Sequence, residues 1–221
     1  MNRSFSAWKE GLPYYGPVLA LGVMLTVALG FVGAAWVGGL VLLLGVAMML
    51  FFRDFEREIT AASQEVVSPA DGTVVAIEDL ADSPHYEGPT RRISIFLSVF
   101  NVHVNRMPFG AVVKDVRYAP GQFLDARKAE TSQVNESNAV WLETPRGPMT
   151  VRQISGAVAR RIVCPIAPGA RFQKGERFGM IRFGSRTELY LPPNTEVCVK
   201  LRDKVHAGTT IIARFSHEKT T

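Results

Sequence analysis

The sequence predicts a mostly β domain, sandwich- or barrel-like, carried behind an N-terminal hairpin of apolar helices. Two observations lead there. From Pro17 to Phe52 the chain has no charged residue. Beyond "RDFEREITAASQE", turn signals recur every eight to fifteen residues with short apolar runs between them, the pattern of an all-β sandwich or barrel.

The N-terminal stretch is too long for one span, which takes roughly 20 apolar residues, and fits two short ones joined near Gly33 to Gly39. Arg3 and Lys9 precede it and Arg53 and Arg57 follow it. Positive flanks favour the cytoplasmic side, so an even number of crossings is expected, with the rest of the chain on the cytoplasmic face of the cell membrane. The run is too long for a cleaved signal peptide. One tilted span, or a shallow re-entrant hairpin, remains open. The boundary falls at a membrane-anchoring region 1–56 and a catalytic or binding region 57–221.

In the second region the turn signals "SPADG", "DSPHYEGP", "MPFG", "APGQ", "PRGP", "QKGE" and "HAG" separate the candidate strands. These are Thr73 to Ile77, Arg92 to Val104, Val112 to Tyr118, Ala139 to Leu142, Met149 to Ser155, Ala157 to Val163 and Thr187 to Leu191. "FLDARKAET", Phe123 to Thr131, has no glycine or proline and reads as a helical piece. "RFQKGERFGMIRF" and "KVHAGTTIIARF" echo each other, so Gly175 and Gly208 read as equivalent corners of lipoyl-like hairpins. A tethered lipoyl-like carrier or adaptor is therefore a rival reading. It lacks the Met-Lys or Asp-Lys tip that a carrier needs, Lys174 being the nearest lysine.

The net charge of +5 suits an acidic partner, and a lipid surface and a nucleic acid both qualify. Aromatic residues are not interleaved with the basic clusters as a stacking platform requires, which argues against nucleic acid. Cys164 and Cys198 lie far apart without a metal-ligand spacing and read as small buried apolar residues; no metal is expected.

Three stretches carry chemistry. In "ISIFLSVFNVHVNRMP" two-residue alternation puts Asn101, His103 and Asn105 on one face, and a histidine there could exchange a proton near neutral pH. "SPADGTV" offers Asp71 in a turn that is common for conformational reasons alone; near His103, its carboxylate would orient the imidazole. In "MIRFGSRTELYLPP" the Gly184-Ser185 pair interrupts an alternating strand. A bulge or tight turn is one reading. The other is chemical: the Gly184 carbonyl has no bulky neighbour and is open to the Ser185 hydroxyl, giving an ester that β-elimination can break.

The chain resembles the phosphatidylserine decarboxylases in their short bacterial form. The likeness runs from "FFRD" through "SPADG", "FLSVFNVHVNR", "YAPGQF", "NESNAV", "QISGAVARRIV" and "GERFGMIRFGSRTELYLP". It implies a proenzyme that cuts itself between Gly184 and Ser185, leaving a large chain 1–184 and a small chain 185–221 that begins with a pyruvoyl group made from Ser185. That covalent cofactor would take the amine of phosphatidylserine as a Schiff base, accept the electrons left by carbon dioxide, and release phosphatidylethanolamine. His103 is the expected proton donor.

The family's longer forms carry a second histidine where this chain has Arg106, and "LGST" where it has "FGSR". An arginine is no base near pH 7, which leaves two alternatives: His103 with Asp71 serves both steps, or strain at the cut bond suffices. The resemblance further suggests Arg106 as a phosphate contact and Asn135 and Glu136 at the substrate site. The basic residues Arg91, Arg92, Lys114, Arg117, Arg160 and Arg161 could meet an anionic membrane surface. A serine phospholipid with ether-linked chains is an alternative substrate, and whether the chain forms a homo-oligomer is left open.

Overall fold

The computed structural model describes residues 5–128, 130–157, 161–182 and 184–215. The chain divides into two units, a helical one over Ser6–Phe55 and a β-rich one that takes over at Glu56.

The helical unit is an antiparallel pair, α1 (Ala7–Gly30) and α2 (Ala35–Phe51), with the turn between them. Glycines let the two backbones approach: a Cβ at Gly38 would stand 2.2 Å from the Thr26 nitrogen, and one at Gly22 2.8 Å from the Leu42 nitrogen. Val27, Trp36 and Leu43 are exposed on the outer faces. At 1.5 Å per residue α1 is about 36 Å long, enough for a bilayer core of about 30 Å, and its composition suits a crossing. The 17 residues of α2 reach only about 26 Å.

In the β unit the described strands, in chain order, are β1 (Glu65–Val67), β2 (Gly72–Leu80), β3 (Thr90–Leu97), β4 (Val104–Arg106), β5 (Ala111–Ala119), β6 (Ser137–Thr144), β7 (Gly147–Ile154), β8 (Ile162–Val163), β9 (Arg171–Phe172), β10 (Arg177–Ile181), β11 (Ser185–Leu191), β12 (Thr195–Val197), β13 (Lys204–Val205) and β14 (Ile211–Phe215). They form one eight-stranded sheet, ordered β13-β2-β3-β11-β7-β6-β5-β9, and two three-stranded sheets, β4-β10-β8 and β1-β14-β12. The mostly β class read from the turn spacing is the class observed. One hydrophobic core joins Ile95, Val151 and Leu189 of the large sheet to Phe178 and Ile212 of the small ones.

β11 lies in the middle of the large sheet, antiparallel to β3 on one side and to β7 on the other. Every one of its seven residues is buried. By the two-residue alternation, Ser185, Thr187, Leu189 and Leu191 share one face with the core, and Arg186, Glu188 and Tyr190 share the other.

Several local expectations need correction. The run Arg92 to Val104 is not one strand, because Asn101 turns the chain: its Oδ1 accepts from the Ser98 nitrogen and hydroxyl at 2.9 and 2.7 Å, and its own nitrogen donates to the Ser98 carbonyl. Such side-chain-to-backbone bonds compete with the ladder. Among the described residues of Phe123 to Thr131, which leave out Ala129, no helix runs before Thr131, where the short α3 (Thr131–Val134) begins. Asn135 takes the Leu124 backbone instead, accepting from its nitrogen at 3.0 Å and donating to its carbonyl at 2.9 Å. Of the run Ala157 to Val163, residues 158–160 lie outside the described residues, Arg160 with them, and the strand observed is Ile162–Val163.

Gly175 and Gly208 do correspond, with φ of +80° and +79°. Yet β9 pairs with β5 and β10 with β4, while β13 pairs with β2 and β14 with β1. Each glycine turns the chain from one sheet into another and closes no two-stranded hairpin. Cys164 is half-buried, and burial pushes its thiol up to about 12. Cys198 is exposed, contrary to expectation, because it follows β12 at the edge of its small sheet.

Candidate active site

Asn105 draws together the three stretches singled out in the sequence. It is fully buried in β4. Its Nδ2 donates to the Pro69 carbonyl at 3.3 Å and to the Thr187 hydroxyl at 3.2 Å, and its Oδ1 accepts from Gln153 Nε2 at 2.9 Å. One amide therefore ties "SPADG", "NVHVNR" and β11 two residues past Ser185. The Arg106 nitrogen adds a second bond to the Pro69 carbonyl, at 3.0 Å.

Ser185 opens β11, paired to Leu97 of β3. Its hydroxyl is buried and has no hydrogen-bond partner among the described residues, and a buried hydroxyl in that state carries a cost of roughly 1–3 kcal/mol. Gly184 before it has φ +45°, in the left-handed region that favours glycine. Phe183 lies outside the described residues.

His103, immediately before β4, meets the same segment, its carbonyl accepting the Ile181 nitrogen at 3.3 Å. Its Nδ1 lies 2.9 Å from the Asn101 carbonyl. A carbonyl only accepts, so in the neutral ring Nδ1 carries the proton and Nε2 the lone pair.

Asp71 is engaged by Arg57 and by the chain around Ala207. Its carboxylate takes both terminal nitrogens of Arg57, at 2.7 and 2.9 Å, and the Ala207 nitrogen at 2.8 Å, with His206 Nδ1 at 3.5 Å. An arginine fork and a backbone donor engage the carboxylate, and the Asn101 carbonyl meets His103 Nδ1.

Arg106 is buried, and one of its Nη atoms donates to the Gly175 carbonyl at 2.9 Å. With Arg57, Lys174 and Arg177 it lines a cavity of about 280 Å³ that also holds Glu56 and Glu176. Asn135 is occupied by backbone, its Nδ2 donating to the Leu124 and Ser155 carbonyls. Glu136 accepts from the Tyr118 hydroxyl at 3.1 Å.

Behind Ser185, on the opposite face of β11, lies a charge cluster that the sequence did not single out. Glu188 is fully buried. It accepts from the Ser132 and Tyr190 hydroxyls and pairs with Arg186 at 3.1 Å, with Arg92 and Arg152 at 3.9 and 3.7 Å. Burial opposes its charge, but Arg186, the Ser132 hydroxyl and Arg92 together hold the carboxyl below its ordinary value. For Arg186 burial prevails over Glu188 and lowers it, without making a guanidinium neutral near pH 7. Burial, then the Glu188 charge, pushes Tyr190 up to about 12. His85 sits edge-on to the Tyr190 ring at 4.5 Å, and burial, then Arg152, lowers it to about 4.

Three basic side chains expected at a membrane surface have partners inside the molecule. Arg91 pairs with Asp79, Arg92 with Glu78 and Glu188, and Arg117 with Asp115, its guanidinium 3.7 Å from the Trp141 ring centre.

A family model described as phosphatidylserine decarboxylase matches residues 44–213. The chain belongs to that family. Among its relatives, the phosphatidylserine decarboxylase proenzyme of Magnetococcus marinus is 40% identical over the whole of both chains. That of Carboxydothermus hydrogenoformans is 43% identical over 97% of this chain and 99% of its own, and that of Nitrosomonas eutropha 40% identical over 94% of each. The match takes in nearly all of the β unit, with Ser185, His103 and Asp71 inside it, so the decarboxylase family resemblance read from the motifs is borne out along the chain.

Arg57, Glu188 and His206 were missed in the sequence. Arg57 and Glu188 stand in ordinary polar runs, and only the fold shows each beside its partner. Asn105 had a signal, since two-residue alternation put it on one face with His103, and Thr187 opens a predicted strand.

Proposed function

We propose that the chain is a proenzyme which cuts itself between Gly184 and Ser185 and then decarboxylates phosphatidylserine to phosphatidylethanolamine. The observation that carries this is the buried, unengaged Ser185 hydroxyl placed directly after a left-handed glycine. The relatives' shared description as proenzymes supports it.

In the first step the Ser185 oxygen adds to the Gly184 carbonyl carbon while its proton passes to a base. The peptide nitrogen then leaves with a proton, and the amide has become an ester. Removal of the Ser185 α-proton expels the Gly184 carboxylate and leaves a dehydroalanine. Water converts that to the pyruvoyl end, with loss of ammonia. No outside oxidant is required.

The residues present suit a pyruvoyl group at 185: the position is fully buried, away from competing water, with an arginine and a glutamate fixing the strand behind it. The ketone would supply the electron sink that losing carbon dioxide from an amino acid needs. His103 Nε2 is proposed to accept the proton during cutting and to return one to the α-carbon during turnover. Asp71 acts as a positioning residue, through Arg57 and the Ala207 amide. Arg106, with Lys174 in the cavity of about 280 Å³, would meet the lipid phosphate. Asn135 and Glu136 support the site from below.

After cutting, Ser185–Leu191 stays hydrogen-bonded to β3 and β7 of the large chain, which would keep the two chains together. The region 1–56 would anchor the enzyme in the membrane, and 57–221 would work on the cytoplasmic face. The test compares wild type with Ser185→Ala for chain cutting on a denaturing gel and for carbon dioxide released from carboxyl-labelled phosphatidylserine. Wild type should give two chains and product, the variant neither. An uncut wild type that releases carbon dioxide would overturn the proposal.

A further inference from the structure

A Cβ built on Gly156 would stand 1.9 Å from the Gly184 carbonyl oxygen and 3.0 Å from its carbon. Real side chains do not tolerate such a contact, so the peptide that precedes Ser185 rests directly on the Gly156 α-carbon. Gly156 is not among the residues of positive φ. Its backbone would accept alanine, and what requires glycine there is the carbonyl lying against it.

The support beneath is fixed. The Ser155 carbonyl accepts Asn135 Nδ2 at 2.7 Å, the Ser155 nitrogen donates to the Glu136 carbonyl at 2.9 Å, and its hydroxyl donates to the same carbonyl at 3.2 Å. Asn135 is itself held by the Leu124 backbone through both ends of its amide. Ser155, Asn135 and Glu136 are all buried. The chain of contacts runs from Asn135 through Ser155 and Gly156 to the Gly184 oxygen.

We infer that Gly156 is a positioning residue for self-cleavage, a floor that aims the Gly184 carbonyl at the Ser185 hydroxyl, and that Asn135 fixes that floor. The inference rests on the self-cleavage reading above. The carbonyl oxygen must swing as its carbon turns from planar to tetrahedral and takes the electron pair, and a floor without a side chain leaves it room. A Cα–H···O contact of this kind is a weak attraction, so the contribution is geometric. A displacement of about 1 Å at a reacting centre costs about a hundredfold in rate.

The experiment uses the full-length chain, made in a cell-free system with detergent, and follows cutting in wild type, Ser185→Ala, Gly156→Ala and Asn135→Asp. Hydroxylamine is added in parallel, since it cleaves an accumulated ester and leaves an amide intact. Gly156→Ala should be folded, with a melting temperature somewhat below wild type from the overpacked contact, cut about a hundredfold more slowly, and show no hydroxylamine-sensitive ester. Cutting at the wild-type rate, or build-up of a hydroxylamine-sensitive ester, would overturn the inference, the latter by placing the defect after the ester forms. If Gly156→Ala is unfolded, Asn135→Asp decides. It keeps the shape of the amide and loses the donor to Ser155, so slowed cutting without ester supports the floor and normal cutting removes it. A wild type that remains uncut, like Ser185→Ala, refutes the self-cleavage reading itself and is distinct from either result.

Discussion

Both terminal nitrogens of Arg57 grip the Asp71 carboxylate, at 2.7 and 2.9 Å, and one of them also reaches the Ala207 carbonyl at 2.6 Å. The pair is nearly dry, with side-chain exposures of 11% and 6%. Removing one partner of such a pair leaves the other charge buried, at a cost of about 3–5 kcal/mol. Arg57→Ala should therefore lose stability on that scale in urea unfolding of the full chain, and Arg57→Ala with Asp71→Asn should lose less than the sum of the two single changes. Additive losses would show that the pair contributes no coupling.

The Asn101 carbonyl holds His103 as the Nδ1–H tautomer, which puts the lone pair on Nε2, the atom proposed to exchange the proton. Replacing a general acid or base costs about 10²–10⁴ in rate. His103→Ala should show a loss of that size in kcat for any chain that is already cut, with KM changed little. A wild-type kcat would remove His103 from the reaction.

Gly184 offers a test that separates conformation from crowding. Nothing lies within 4 Å of a Cβ built there, but its φ is +45°. An L-residue in the left-handed region costs about 1–2 kcal/mol, so Gly184→Ala should slow cutting about tenfold through the backbone alone. Pulse-chase labelling of precursor and product measures it, and an unchanged rate would mean that the left-handed peptide does not matter.

The His85 imidazole, lowered to about 4 by burial against Tyr190, ties stability to pH. Its ordinary value is about 6.5. Between the two values the unfolded chain binds the extra proton and the folded chain does not, so stability is full above about 6.5 and falls as pH drops toward 4. The loss is at most about 3 kcal/mol. Glu188, held below its ordinary value, adds a loss in the same direction at lower pH, through the carboxylate range. His85→Phe should flatten the urea midpoint between pH 6.5 and 4; the same slope in wild type and variant would assign the effect elsewhere.

The sequence made the β class legible because turn residues and alternation are local signals, and the central strand Thr187 to Leu191 lies where its pattern put it. Asn101 broke the strand that ran from Arg92, since a side-chain turn competes with the ladder and period alone does not register it. The same holds for Asn135, whose grip on Leu124 replaced a helix that propensity favoured. Ser185 and His103 were legible as reactive types in unusual surroundings. Arg57 beside Asp71 was not, because the pairing depends on how the chain returns after the helical unit. Gly156 gave no sign, because its reason for being glycine is a carbonyl far along the chain.

Mass spectrometry of the chain end at position 185, in enzyme purified from membranes and active on phosphatidylserine, tests the central claim most directly. The account predicts a small chain 185–221 that begins with a keto acyl group and has no free amine. Active enzyme in which Ser185 is an ordinary serine, still joined to Gly184, would contradict it.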